Sequence, residues 1–184
     1  MAFLKKSKDE LKVSFASEIY RNSIKAAESI RELARQDKEN KKFSDEAWVF
    51  IIFGFINFYL HVTDRIAYDE INTEQRSALI KKMGVHSISS AAEGVCHSWP
   101  EAAKSEFKNK MLHTFEGDIE KYSQYKKFLD PNDLKESLLW EFGKVISSLA
   151  TKSRDDAMYI MATQDIVTQH LKDMDIKSFI KKIK

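Results

Sequence analysis

The sixteen residues from Ala47 to Val62 include only two polar side chains, Asn57 and His61, and run directly into Thr63, Asp64 and Arg65. A helix that is apolar around its whole circumference has no face to offer water, so it is stable only where other elements enclose it. The rest of the chain must therefore supply covering helices. It must also answer Asn57, His61 and Asp64 inside the enclosed region, because burying an unpaired polar group costs on the order of several kcal/mol.

A membrane does not supply the enclosure in this reading. A spanning helix needs about 20 predominantly apolar residues. This run is shorter, carries its two polar groups in the second half, and is flanked by Asp45, Glu46, Asp64 and Arg65. No transmembrane segment is expected. The first ten residues include Lys5, Lys6 and Lys8 but no apolar secretion segment, and Cys96 is the single cysteine, which excludes an intrachain disulfide and a thiolate metal cluster. A cytoplasmic location is the default.

Five Gly and two Pro in 184 residues favour helices joined by short loops. Ser7 with Glu10 forms a capping box, and Leu11, Phe15, Ile19, Ala26, Ile30 and Leu33 recur at helical spacing to about Gln36. Ser44 caps the apolar helix, Asp45 and Glu46 suit its positive end, and Phe43 with Trp48 has staple spacing; this helix should run to about Asp69. Thr73 caps a third helix, which Gly84 and the serines at 87, 89 and 90 are expected to break before Ala91. Pro100 opens a fourth, with Ser98 as cap, carrying Phe107, Met111, Phe115, Ile119, Tyr122 and Leu129. Asp130, Pro131 and Asp133 announce a fifth, with Leu134, Leu138, Phe142, Val145 and Leu149 as its buried stripe. Ser153 and Asp156 open the last. Beyond it, residues 176–184 form an amphipathic basic tail: Ile176, Phe179, Ile180 and Ile183 oppose Lys177, Lys181, Lys182 and Lys184. The fold class is all-α, a single domain over residues 1–184, an up-and-down bundle of about six helices with the helix near 44–69 at its centre.

One constellation is a candidate site. At about 100° per residue, Asn57, His61, Asp64 and Tyr68 share a face of the apolar helix. Gly54 on the same stripe leaves room for a neighbouring helix or a ligand. On the fourth helix, Asp118 falls within the apolar stripe and asks for a counterpart in His61, Arg65 or a metal ion. His61, Asp64 and Asp118 form a mixed imidazole and carboxylate set that suits zinc, iron or manganese, so a divalent transition metal is the candidate cofactor. The bland reading of the same residues is a polar network of Asn57, His61, Asp64 and Arg65 that locks one packing of the bundle.

Other chemistry is poorly represented. There is no Glu-x-x-His or His-Glu-x-x-His, no Gly-rich phosphate loop and no nucleophile elbow. His113 and Glu116 point away from their helix's apolar stripe, and His86, His97 and His170 read as surface or boundary residues. The aromatic cluster of Trp48, Phe50, Phe53, Phe55, Phe58 and Tyr59 reads as core. Thirty basic against 28 acidic residues, a net charge of +2, lacks the basic signature of a nucleic-acid binder. The tail is expected to dock on the bundle or on a second subunit and not on a membrane. These features point to a non-enzymatic interaction or regulatory module with a protein partner or a homodimer. The alternative is a metal- or small-ligand-binding bundle, hydrolytic or redox-active, centred on His61 and Asp64.

Overall fold

A computed structural model describes residues 7–37, 43–128 and 137–184. Every regular element among them is a helix: α1 (Lys8–Gln36), α2 (Asp45–Tyr68), α3 (Thr73–Val95), α4 (Glu101–Ser123), α5 (Leu138–Thr151), α6 (Ala157–Met174) and α7 (Ile176–Ile183). The all-α bundle expected from the sequence is the observed architecture, with the tail as a short seventh helix.

α2 occupies the centre. It packs on α1, α3, α4, α5 and α7, and reaches α6 through a 2.8 Å hydrogen bond between Tyr59 Oη and His170 Nδ1. By length and composition α2 would pass as a membrane-crossing helix, yet 78% of its most apolar stretch is buried inside the protein. Its rings fill the core. Phe58 stacks on Phe142 of α5 at 4.0 Å, Phe55 meets the same ring edge-on, and Phe53 meets Phe107 of α4 edge-on.

Contacts along the helices fix their directions. Arg31 near the end of α1 pairs with Asp45 at the start of α2, so those two run antiparallel. Asp9, Ala16 and Ser17 of α1 meet Lys82, Ser87 and His86 of α3, so α3 runs with α1. Phe53, Asn57 and Arg65 of α2 meet Phe107, Asp118 and Tyr122 of α4, so α4 runs with α2. Short loops between helices produce this alternation.

The caps explain most helix starts. Ser7 and Glu10 make both bonds of the capping box, and Ser44 accepts from the Ala47 amide. The third cap is Asn72, not Thr73: its Oδ1 accepts from Gln75 N at 2.9 Å. Pro100 starts α4 without any side-chain cap, so Ser98 does not serve. Asp156, and not Ser153, caps α6 through the Met158 amide. The cap expected at Asp130, Pro131 and Asp133 lies outside the described residues, as do Leu129 and Leu134; α5 is capped by Ser137.

Two expectations fail for reasons of packing. α3 does not break before Ala91. Its small residues are where neighbours come closest: a Cβ on Gly84 would sit 2.9 Å from the Phe115 ring, and buried Ser87 donates to Ala16 O of α1 at 3.0 Å. Tertiary contact outweighs the poor local helix propensity of glycine and serine. In α5, Leu138 and Phe142 are buried as expected, but Val145 and Leu149 are half-buried, and Leu139, Ile146 and Ala150 complete the inner face. The helix has been rotated by packing against both α2 and α6.

The tail docks. One left-handed residue, Asp175 (φ 38°, ψ 56°), separates α6 from α7 and caps α7 through the Ser178 amide. Ile176, Phe179, Ile180 and Ile183 are buried, Phe179 stacks on Phe15 of α1 at 4.0 Å, and Lys177, Lys181, Lys182 and Lys184 are exposed.

Candidate functional site

The second half of α2 carries the polar groups singled out in the sequence, and three partners, Asp118, Arg65 and Arg76, divide them. Asn57 Nδ2 donates to Asp118 Oδ2 of α4 at 2.8 Å. One turn on, His61 is only 2% exposed, and its Nε2 accepts from Arg65 Nε at 2.9 Å. Asp64 turns the other way and pairs with Arg76 of α3 at 3.4 Å. Tyr68, 66% exposed, lies beneath the Arg76 guanidinium, 4.8 Å from ring centroid to carbon.

This arrangement corrects the proposed metal ligation. His61, Asp64 and Asp118 do not assemble into one donor set, and among the described residues no group of three His, Cys, Asp or Glu side chains does. Asp118 finds its counterpart in Asn57, not in His61 or Arg65. The face shared by Asn57, His61, Asp64 and Tyr68 is wide enough for three different neighbours to divide it. Gly54 also differs from expectation: a Cβ there would meet Ile146 at 3.4 Å, an ordinary contact, so nothing approaches its backbone unusually closely.

Arg65 organises the polar end. Besides His61, its Nη2 donates to Tyr122 O at 2.9 Å and to Tyr125 O. A helix leaves its last carbonyls without intrahelical partners; here Tyr122 O accepts from Tyr125 N at 3.2 Å, and the guanidinium from α2 adds a further donor to it and reaches the next turn of chain. A guanidinium only donates, so His61 Nε2 must accept and the neutral imidazole carries its proton on Nδ1. Burial, aided by the Arg65 charge, lowers the His61 pKa to about 4. Burial lowers that of Arg65 as well, and raises that of Asp64 against the opposing pull of Arg76 and Arg65. His61 Nδ1 and Asn57 Oδ1 are buried without a hydrogen-bond partner. The network is therefore incompletely satisfied, which raises its cost.

Two clefts open around the Asp64–Arg76 pair, and both residues line both of them. One, of about 500 Å³, is bounded by His61, Arg65, Tyr68, Tyr125 and Lys126 at the ends of α2 and α4. The other, of about 560 Å³, lies between α3 and α4 with Ile80, Lys81, Val85, Leu112 and Phe115 in its walls. Tyr68 on one side and Val85 on the other are among the few large apolar side chains exposed on the molecule.

Sequence reasoning missed Arg76, Tyr125 and Lys126. Arg76 was legible in principle, since the short connection between α2 and α3 folds their adjoining turns together. Tyr122 and Tyr125 act through backbone carbonyls, which no side-chain pattern reveals. His113 is exposed, as expected, while the Glu116 side chain lies outside what is described. His170 is more than a boundary residue, because it answers the buried Tyr59 hydroxyl. The chain matches no known family, and no curated protein or solved structure is significantly similar to it.

Proposed function

We propose that this protein is a soluble, non-enzymatic interaction or regulatory module whose working face is formed by the ends of α2 and α4 and the groove between α3 and α4. The observation that carries this reading is the pairing of the candidate catalytic groups. His61 is held neutral by Arg65, Asp64 is held by Arg76, and Asp118 by Asn57. A general base needs its lone pair free for a substrate proton. Here His61 Nε2 is already occupied by Arg65.

What remains open to solvent at that end is surface: two adjoining clefts with exposed Tyr68 and Val85 beside them. A protein partner in the cytoplasm fits such a face. The second reading, a small-ligand-binding bundle, draws on the cleft beside His61, whose volume lies within the usual range of ligand sites.

The test is affinity capture from the native cell with the wild type and with Val85→Asp, an exposed position. A partner retained by the wild type and lost by the variant supports the module. Capture of the same proteins by both chains, or of none by either, sinks it.

A further inference from the structure

We propose that the two adjoining clefts form one docking track for a short acidic peptide segment of a partner protein, anchored by apolar side chains between α3 and α4. The proposal rests on the interaction reading above and names the chemistry of the partner.

Among the described residues, the walls of the two clefts carry four cations, Lys81, Arg76, Arg65 and Lys126, against one carboxylate, Asp64. The chain as a whole is nearly neutral, at +2. The track is thus a local concentration of positive charge on a balanced surface, the pattern that steers an acidic partner and fixes its orientation. Arg65 and Arg76 are committed to internal partners, but their charge still contributes to the field. Lys81 and Lys126 are exposed and reach outward.

Between α3 and α4 the lining turns apolar: Ile80, Val85, Leu112 and Phe115 flank Lys81. Such a groove takes apolar side chains spaced one helical turn apart on a docked segment, while acidic residues beside them meet the basic rim. A small molecule fits less well. Ligand sites bury roughly 70–90% of their occupant, whereas here the rim residues Val85 and Tyr68 are 42% and 66% exposed. A second copy of the chain is disfavoured by charge, since the same basic track would face itself in a two-fold contact.

The test is to pan the full chain against a displayed library of random 12-residue peptides at low salt. Enriched sequences are expected to combine Asp or Glu with at least two apolar or aromatic residues. Synthetic copies should bind the wild type, weaken about tenfold between low and high salt, and weaken at least about tenfold for Lys81→Glu, Lys126→Glu and Val85→Asp. All three positions are exposed, and unchanged melting curves will show that the variants fold. No enrichment, enrichment without acidic bias, or binding indifferent to the variants overturns the proposal. So does self-association that Lys81→Glu abolishes, which assigns the track to a second copy, or saturable binding of octanoate in its place. A cellular partner lost with Val85→Asp but not displaced by acidic peptides leaves the interaction reading standing and removes this inference alone.

Discussion

Arg65 Nε donates to His61 Nε2 across 2.9 Å, and that bond holds a buried imidazole neutral beside a permanent cation. A second proton on His61 would turn its acceptor into a donor facing another donor. The pairing therefore couples the packing of α2 to pH.

His61 titrates near its ordinary value of 6.5 when unfolded and at about 4 when folded. Above pH 6.5 both states are neutral and the full stability is present. As pH falls from about 6.5 to about 4 the unfolded chain binds a proton that the folded chain refuses, so stability is lost across that window and levels off below it. At about 1.4 kcal/mol per unit, the loss is about 3 kcal/mol. His170, also lowered by burial, adds to the same slope. Urea denaturation of the wild type and His61→Gln from pH 7.5 to 4 isolates the His61 share as their difference. Parallel pH profiles would contradict it.

Arg65→Met should destabilise the protein by about 3 kcal/mol, because it strips partners from His61 Nε2 and from the carbonyls of Tyr122 and Tyr125 at once. Amide exchange should speed up selectively in residues 122–128, where α4 loses its clamp to α2. A stability change below about 0.5 kcal/mol would place the guanidinium outside the packed structure.

The glycines should rank by the space around them. In Gly143→Ala the new methyl would meet Ile160 Cγ2 at 2.9 Å and its backbone at 3.2 Å, and in Gly84→Ala it would meet the Phe115 ring. Each should cost about 1–3 kcal/mol, Gly143→Ala more because backbone yields least. Gly54→Ala meets only ordinary contacts and should be neutral or stabilise by up to about 1 kcal/mol, the helix-propensity gain. Chemical denaturation of the three variants gives the order directly, and a reversed order would contradict the close approach of α5 to α6.

Phe179→Ala removes the ring that stacks on Phe15 and should cost about 3 kcal/mol. It should also release α7, detectable as rapid amide exchange over residues 176–184. The wild type should not sediment with anionic vesicles at low salt, since its apolar tail face is already covered. Vesicle binding by the wild type would show that α7 leaves the bundle readily.

Local signals carried far along the chain. The capping box at Ser7, the Ser44 cap and the turn-to-turn spacing of apolar residues place α1 and α2 within a residue of where they lie, because these interactions are complete within one or two helical turns. The failures have one origin. Gly84 and Ser87 look like helix breakers until α1 and α4 press against them, and Val145 looks buried until α6 turns α5.

From residue order alone came the all-helical character, the enclosure of α2 and the presence of polar groups that had to be answered inside it, because periodicity and composition are properties of a single strand of chain. Only the folded molecule decided who answers them. His61, Asp64 and Asp118 share a neighbourhood in the sequence reading, yet separate onto Arg65, Arg76 and Asn57, because side-chain pairing depends on the direction and rotation of neighbouring helices. Those are set by how the described helices pack together, and by backbone carbonyls that every residue possesses and no sequence pattern marks.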